Sequence, residues 1–178
     1  MDALAPFRIP VARLKEEKAR YDWELGPDFF RLYDDEHETE KGRFEVSMDL
    51  HRTGTVTTLA FHIEGMVETP CDRCLAMIEM PIMGDYEILV KFGDPKDTTD
   101  EVIFVDPDAN GLDVGKHIYD FTLLSIPITR RIPGCETSVN PPCDMTVLAY
   151  LSKTNENNNS TQGDDDSLWG DLRKRIDN

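Results

Sequence analysis

The chain has 178 residues, of which 35 are acidic and 19 are basic, so its formal net charge is −16. This surplus of carboxylates argues against independent binding to bare DNA or RNA, which requires Lys and Arg against the phosphates. No apolar run approaches the roughly 20 residues of a membrane span, and the first residues lack the basic and apolar regions of a signal peptide. We therefore expect a cytoplasmic protein whose partners are basic proteins.

The acidic excess belongs to the middle of the chain rather than to a tail. Residues 43–152 contain 18 acidic and 8 basic residues. Two interpretations remain open at this point: a solvated surface that keeps the protein in solution, or an acidic face that receives a basic partner. The order of the residues alone does not place these charges on one face.

The first half of the chain reads as a series of strands. Residues 7–9 and 21–25 alternate apolar and polar side chains, and residues 44–50 do so without a break, which predicts half-buried antiparallel strands. Residues 52–55 predict a hairpin turn around Gly54. The return strand carries Leu59, Phe61 and Ile63 on one face, and we expect it to end near residues 65–67.

The second half of the chain continues with strands and then changes from the two-residue period of a strand to the spacing of a helix. We predict two further strands at residues 76–82 and 86–92, and a short one at residues 102–105. Apolar residues then recur at helical spacing over residues 114–125, with Asp113 placed to cap the helix and Pro127 to stop it. The fold class predicted is α+β: a mainly antiparallel β-sheet or partly open barrel with one packed helix and a short C-terminal helix.

Three regions follow from these patterns. We predict one β-rich domain over residues 1–151 and a flexible polar linker over residues 152–167, because the linker lacks apolar side chains that could be buried. We predict a short amphipathic helix over residues 168–178. Its apolar stripe consists of Leu168, Trp169, Leu172 and Ile176. A helix of this length is marginal alone, so we expect it to dock on its own domain or on a partner.

Four cysteines form two pairs: Cys71 with Cys74, and Cys135 with Cys143. The first pair is a C-x-x-C turn between two strands, where a zinc knuckle commonly lies. The second has seven intervening residues, outside the usual range. We expect reduced, metal-free thiols, with structural zinc on all four thiolates as the alternative. A redox pair is a third reading, although the motif does not begin the helix of a βαβ unit.

Recognised enzyme motifs are absent from the sequence. Residues 106–111 match the start of a calcium loop, but the twelfth position is His117 where a bidentate Glu is needed. We read this segment as a turn followed by a cap. The enzymatic alternative is a metal-dependent nuclease, and it requires Asp106, Asp108 and Asp113 to converge on one ion.

The order of these features is similar to a known family. A hairpin leads into Cys71-Asp72-Arg73-Cys74-Leu75, a helix carries Ile118-Tyr119-Asp120, and Leu124-Ser125-Ile126-Pro127 follows. Over nearly its whole length the chain resembles the YceD family of large ribosomal RNA subunit accumulation proteins. Cys71, Asp72, Arg73 and Cys74 match the family's first cysteine pair. Cys135 and Cys143 stand where many members have a tighter second cluster.

The resemblance implies a non-enzymatic role in synthesis, processing or stability of 23S rRNA during large-subunit biogenesis. With the acidic composition, it leads us to expect a basic ribosomal protein or a pre-50S particle as the partner. Whether RNA is contacted directly stays open. A zinc-binding structural adaptor and a metal-dependent RNA-processing enzyme are the competing functions.

Overall fold

The computed structural model describes residues 4–11, 17–33, 42–99, 101–109, 111–132 and 142–159. Its strands are β1 (Arg8–Ile9), β2 (Lys18–Leu25), β3 (Arg43–Thr53), β4 (Val56–Pro70), β5 (Met77–Phe92), β6 (Val102–Val105) and β7 (Leu112–Asp113). Its helices are α1 (Pro27–Phe30), α2 (Gly115–Ser125) and α3 (Met145–Asn159). This is the α+β class predicted from the sequence.

One open five-stranded sheet, in the order β2-β3-β4-β5-β6, forms the framework. The first four strands are antiparallel to their neighbours, and β6 joins the edge of β5 in parallel. Strands β1 and β7 form a separate two-stranded ribbon. The tight turn between β3 and β4 places Gly54 at φ +62°, a left-handed conformation that glycine adopts at little cost.

The core lies on one face of this sheet. The predicted alternation is confirmed, since Phe44, Val46, Met48 and Leu50 are buried, as are Leu59, Phe61 and Ile63 on the neighbouring strand. Helix α2 packs over β4 and β5: Phe121 stacks on Tyr86 with ring centroids 4.4 Å apart and meets the edge of Phe61 at 5.4 Å. Each buried aromatic or aliphatic side chain contributes about 1.5–3 kcal/mol.

The two strands predicted at residues 76–82 and 86–92 are one continuous strand, β5. Gly84 lies between them, directly under α2, where an added Cβ atom would overlap the Ser125 hydroxyl. The glycine that interrupts the alternation therefore permits close approach of the helix and does not end the strand. Strand β4 likewise runs to Pro70, beyond its predicted end, because it pairs with β5 along its entire length.

Helix α2 ends where the sequence predicts, but its N-cap lies one residue later than the predicted Asp113. Val114 is the N-cap residue, and the carboxylate of Asp113, one residue earlier, accepts a hydrogen bond from the Gly115 N–H at 2.9 Å. The helix ends at Ser125, two residues before Pro127. Helix α3, which the sequence analysis did not predict, continues to Asn159, so its last turns occupy the start of the expected polar linker.

Candidate functional site

The C-x-x-C motif forms a tight turn between β4 and β5. The Cys71 N–H donates to the Ala76 carbonyl at 2.9 Å, and the Leu75 N–H donates to the Cys71 carbonyl at 2.9 Å. Cys71 and Cys74 are both buried. Leu75, the residue after the motif, has φ +62°, which is uncommon for a residue with a branched side chain. The turn is therefore compact and locally strained, and it points both thiols inward.

Asp72, inside the motif, ties this turn to the segment that follows α2. Its N–H donates to the Arg130 carbonyl at 3.0 Å, and its carboxylate accepts from the Arg130 N–H at 2.7 Å. The Arg130 guanidinium also reaches the Thr69 hydroxyl at 3.3 Å. The polar part of the motif thus joins two segments that are distant in the sequence.

The third described cysteine lies at the same place. Cys143 comes just before α3, whose first turn is capped by the Asp144 carboxylate through the N–H groups of Thr146 and Val147. The N–H of Ala76 lowers the pKa of the Cys74 thiol, burial opposes this effect, and the Asp144 N–H and the thiols of Cys71 and Cys143 lower the pKa further. The fold therefore brings Cys143 to the C-x-x-C turn.

Thiolates are the ligands that structural zinc prefers, so this cluster is the place to ask whether the chain can bind a metal. Cys71, Cys74 and Cys143 form no disulfide in the described residues. Within the same residues no group of three or more Cys, His, Asp or Glu side chains is arranged to hold a metal ion. Cys135 lies outside the described residues, so the four-thiolate site stays a prediction.

Two of the three carboxylates of the proposed nuclease alternative, those of Asp106 and Asp113, accept local backbone hydrogen bonds. Asp106 accepts from the Asp108 N–H at 2.8 Å within a turn, and Asp113 accepts from the Gly115 N–H at the start of α2. This agrees with the turn and cap read from the sequence.

The strand registers place many of the protein's charges on the face of the sheet opposite the core. We call this surface the outer face. Its charged side chains are nine acids and four bases, namely Asp22, Glu24, Glu45, Asp49, Glu64, Glu68, Glu79, Asp85 and Glu87 with Lys18, Arg20, Arg43 and Lys91. This arrangement depends on how the strands pair, so the order of the residues alone does not reveal it.

Three glutamates on the outer face lie side by side. Glu24 pairs with Glu45 across β2 and β3, and Glu45 pairs with Glu64 across β3 and β4. We call these three residues the glutamate row. Directly opposed like charges destabilise a sheet, so the row costs folding free energy. A local rule broken in this way is typical of a surface kept for binding.

Several other polar side chains on the outer face are paired with one another. Arg20 lies 3.2 Å from Asp22 and 3.6 Å from Asp49. His62 forms a 2.7 Å hydrogen bond with Asp85 through Nδ1, and its Nε2 lies 3.9 Å from Glu64. His62 and Glu64 are therefore both on the outer face.

Two shallow concavities lie on the outer face, and both contain the glutamate row. The smaller, of about 300 Å³, is also bounded by Arg20, Asp22 and His62. The larger, of about 1180 Å³, extends to Arg43, Met66, Glu79, Pro81 and Met83. In each of them four acidic residues stand against one Lys or Arg, which is the reverse of a groove built for a nucleic acid strand.

The predicted C-terminal helix, with Leu168, Trp169, Leu172 and Ile176, lies outside the described residues, and its role in partner binding stays a prediction. In the described part of the chain, no helix is both long and apolar enough to cross a membrane.

Comparison with known proteins supports the resemblance noted from the sequence. The family model described as "Large ribosomal RNA subunit accumulation protein YceD" matches residues 59–174, which begin in β4 and include the cysteine turn, α2 and α3. Neither the curated proteins nor the solved structures contain a significant match. The chain therefore belongs to the YceD family of large ribosomal RNA subunit accumulation proteins, whose role lies in ribosome biogenesis.

Proposed function

We propose that this protein is a non-enzymatic factor of large-subunit assembly in the cytoplasm, which supports 23S rRNA accumulation by binding a basic ribosomal protein, free or on a pre-50S particle. The glutamate row on the outer face carries this proposal. The row is unfavourable for the isolated sheet, and cationic side chains from a partner would relieve its repulsion.

The geometry of the outer face favours collective electrostatic binding. Neighbouring strands are about 4.8 Å apart, which is shorter than the Debye length of about 8 Å at physiological ionic strength. The glutamates therefore act on a partner as one negative patch, although each exposed ion pair alone would contribute only about 0–1 kcal/mol. Such a patch raises the association rate with basic proteins and repels the phosphates of RNA.

A non-enzymatic role is supported by what the acidic side chains do elsewhere. The carboxylates of Asp106 and Asp113 are engaged with backbone N–H groups, and so is that of Asp72 in the cysteine turn. These groups hold turns and helix ends. We assign the cysteine turn to stabilisation of the domain, and the predicted stripe on residues 168–178 to a second partner contact.

The test is affinity capture from lysate with the tagged full chain, followed by mass spectrometry and RNA sequencing. The altered protein carries Glu24→Gln, Glu45→Gln and Glu64→Gln. A matched control, Asp97→Asn with Glu101→Gln and Asp108→Asn, removes the same number of charges from exposed residues that are not on the outer face. Neutralising the row removes repulsion, so we expect this variant to remain at least as stable as the wild type.

We expect wild type and control to capture large-subunit ribosomal proteins or their precursor particles, and the row variant to lose them. Capture should also weaken as salt is raised, because the attraction is screened. Equal capture by all three proteins would refute the role of the row, and no large-subunit component with any of them would refute the proposed function. Precursor RNA cleaved by the purified protein with Mg²⁺ would favour the nuclease alternative instead.

A further inference from the structure

If the proposed function holds, the side chains of the larger concavity indicate which residues the partner carries where it binds. The glutamate row continues onto β5, where Glu64 pairs with Met83. The adjacent row contains Arg43, Met66 and Pro81, paired across three strands. Acidic and apolar side chains therefore meet within one groove on the outer face.

Two methionines of this groove are exposed to solvent. Met83 is 69% exposed and Met66 is 43% exposed, and both border the concavity of about 1180 Å³. Methionine is flexible and polarisable, so exposed methionines adapt to apolar side chains of varied shape. Electrostatic attraction alone does not require apolar side chains, and their exposure to water is unfavourable.

We propose that this groove binds an extended, Lys/Arg-rich protein segment that carries one apolar anchor residue. The basic side chains of the segment lie against Glu24, Glu45 and Glu64, and the anchor packs on Met66 and Met83. Charge complementarity identifies the occupant as a basic protein segment rather than RNA, because a phosphate strand would meet four glutamates and one arginine in the groove.

The spacing of the row sets the length and pattern of this segment. Four neighbouring strands span about 14 Å from Glu24 to Met83, which four or five extended residues can cover at about 3.3 Å each. Alternate side chains of an extended segment face the same way. The groove therefore selects basic residues at positions i and i+2, followed by an apolar residue at i+4.

Isothermal titration calorimetry with the full chain tests this pattern. The probe is a synthetic nine-residue peptide with Lys at positions 3 and 5 and Leu at position 7, in a Gly/Ser background. A second peptide replaces Leu with Ser at the same charge. Met83→Ser removes the anchor contact, and Met77→Ser is the matched control, since Met77 is exposed on the same face but does not line the groove.

We expect the Leu peptide to bind wild type and Met77→Ser equally, and at least about fivefold more tightly than the Ser peptide, which corresponds to about 1 kcal/mol. The Met83→Ser variant should bind both peptides with the affinity that the wild type shows for the Ser peptide. Equal affinity of wild type for the two peptides would overturn the anchor. If the two peptides bind equally but lysate capture still depends on the glutamate row, the proposed function stands without the apolar anchor. A single-stranded RNA that binds as tightly as the Leu peptide would overturn the assignment of a protein segment.

Discussion

Asp72 and Arg130, 58 residues apart, exchange two hydrogen bonds, one from each backbone N–H. The Asp72 side chain accepts one hydrogen bond and its backbone N–H donates the other. A single residue of the cysteine turn therefore fixes the segment that follows α2. The turn between the two longest strands and the chain beyond the packed helix are thereby held as one unit.

Asp72→Ala should lower the free energy of unfolding by about 1–2 kcal/mol, because the Arg130 N–H loses a charged acceptor. Asp72→Asn retains an oxygen that can accept the hydrogen bond, so its loss should be smaller. Urea denaturation followed by tryptophan fluorescence measures both. Equal stability of the alanine variant and the wild type would mean that the bonds to Arg130 contribute nothing net.

The sheet could be predicted from the sequence because its inner face is buried in strict alternation. Phe44 to Leu50 and Leu59 to Ile63 follow period two, and the helix at residues 115–125 follows its own period. The pattern failed where tertiary contact decides the outcome. The two strands predicted on either side of Gly84 are one strand, and a Cβ added at Gly84 would overlap the Ser125 hydroxyl of the helix above it.

Gly84→Ala should therefore be destabilising. The new Cβ would overlap the Ser125 hydroxyl and the Tyr86 ring, and overpacking of this kind typically costs about 1–3 kcal/mol. Gly26→Ala is the control, since nothing lies within 4 Å of the Cβ it would add. At about 2–4 °C per kcal/mol for a chain of this size, calorimetry should show a clear fall in Tm for Gly84→Ala alone. A similar fall in both variants would contradict the packing argument.

The candidate binding surface was less predictable than the fold. Each glutamate of the row alternates outward from its own strand, but only the register places Glu24, Glu45 and Glu64 next to one another. The cysteines likewise include one feature that the sequence predicts and one that only the fold determines. The Cys71–Cys74 turn could be recognised from spacing, whereas the approach of Cys143 to it depends on the path of the chain before α3.

His117 should make the protein more sensitive to acid. Burial of the imidazole lowers its pKa below the usual 6.5, and the nearby positive charge of Lys116 lowers it further. The negative charges of Asp120 and Asp113 raise this pKa, but they do not outweigh the effect of burial. Its folded pKa thus lies below the unfolded value, so the unfolded chain takes up a proton first as the pH falls through 6.5, and stability decreases. Below the folded pKa this loss is complete.

His117→Gln removes that titration. Urea midpoints of the two proteins measured above and below pH 6.5 should show a larger decrease for the wild type than for the variant. The comparison between pH values cancels the packing cost of the substitution, because that cost is present at both. Parallel pH dependence of the two proteins would exclude His117 as a source of acid sensitivity.

Leu75→Gly should stabilise the cysteine turn. Leu75 holds a left-handed backbone conformation that costs a residue with a Cβ roughly 1–2 kcal/mol, and its side chain is 69% exposed, so little packing is lost. The greater freedom of glycine in the unfolded chain offsets part of this gain. We expect a net gain of up to about 1 kcal/mol, seen as a higher urea midpoint. An equal or lower midpoint would show that the Leu75 side chain contributes to the turn.

Chelation of metal should leave the folded domain unchanged. The turn at Cys71 is held by hydrogen bonds of the protein itself, from Cys71 to Ala76, from Leu75 to Cys71 and between Asp72 and Arg130. The long spacing from Cys135 to Cys143 is also unlike that of common zinc sites. We therefore expect protein purified under reducing conditions to contain no stoichiometric zinc and to keep its Tm in EDTA. Zinc bound at one ion per chain, with a Tm that falls on chelation, would establish a thiolate site and favour the zinc-stabilised adaptor, because metal binding to such a site contributes directly to folding.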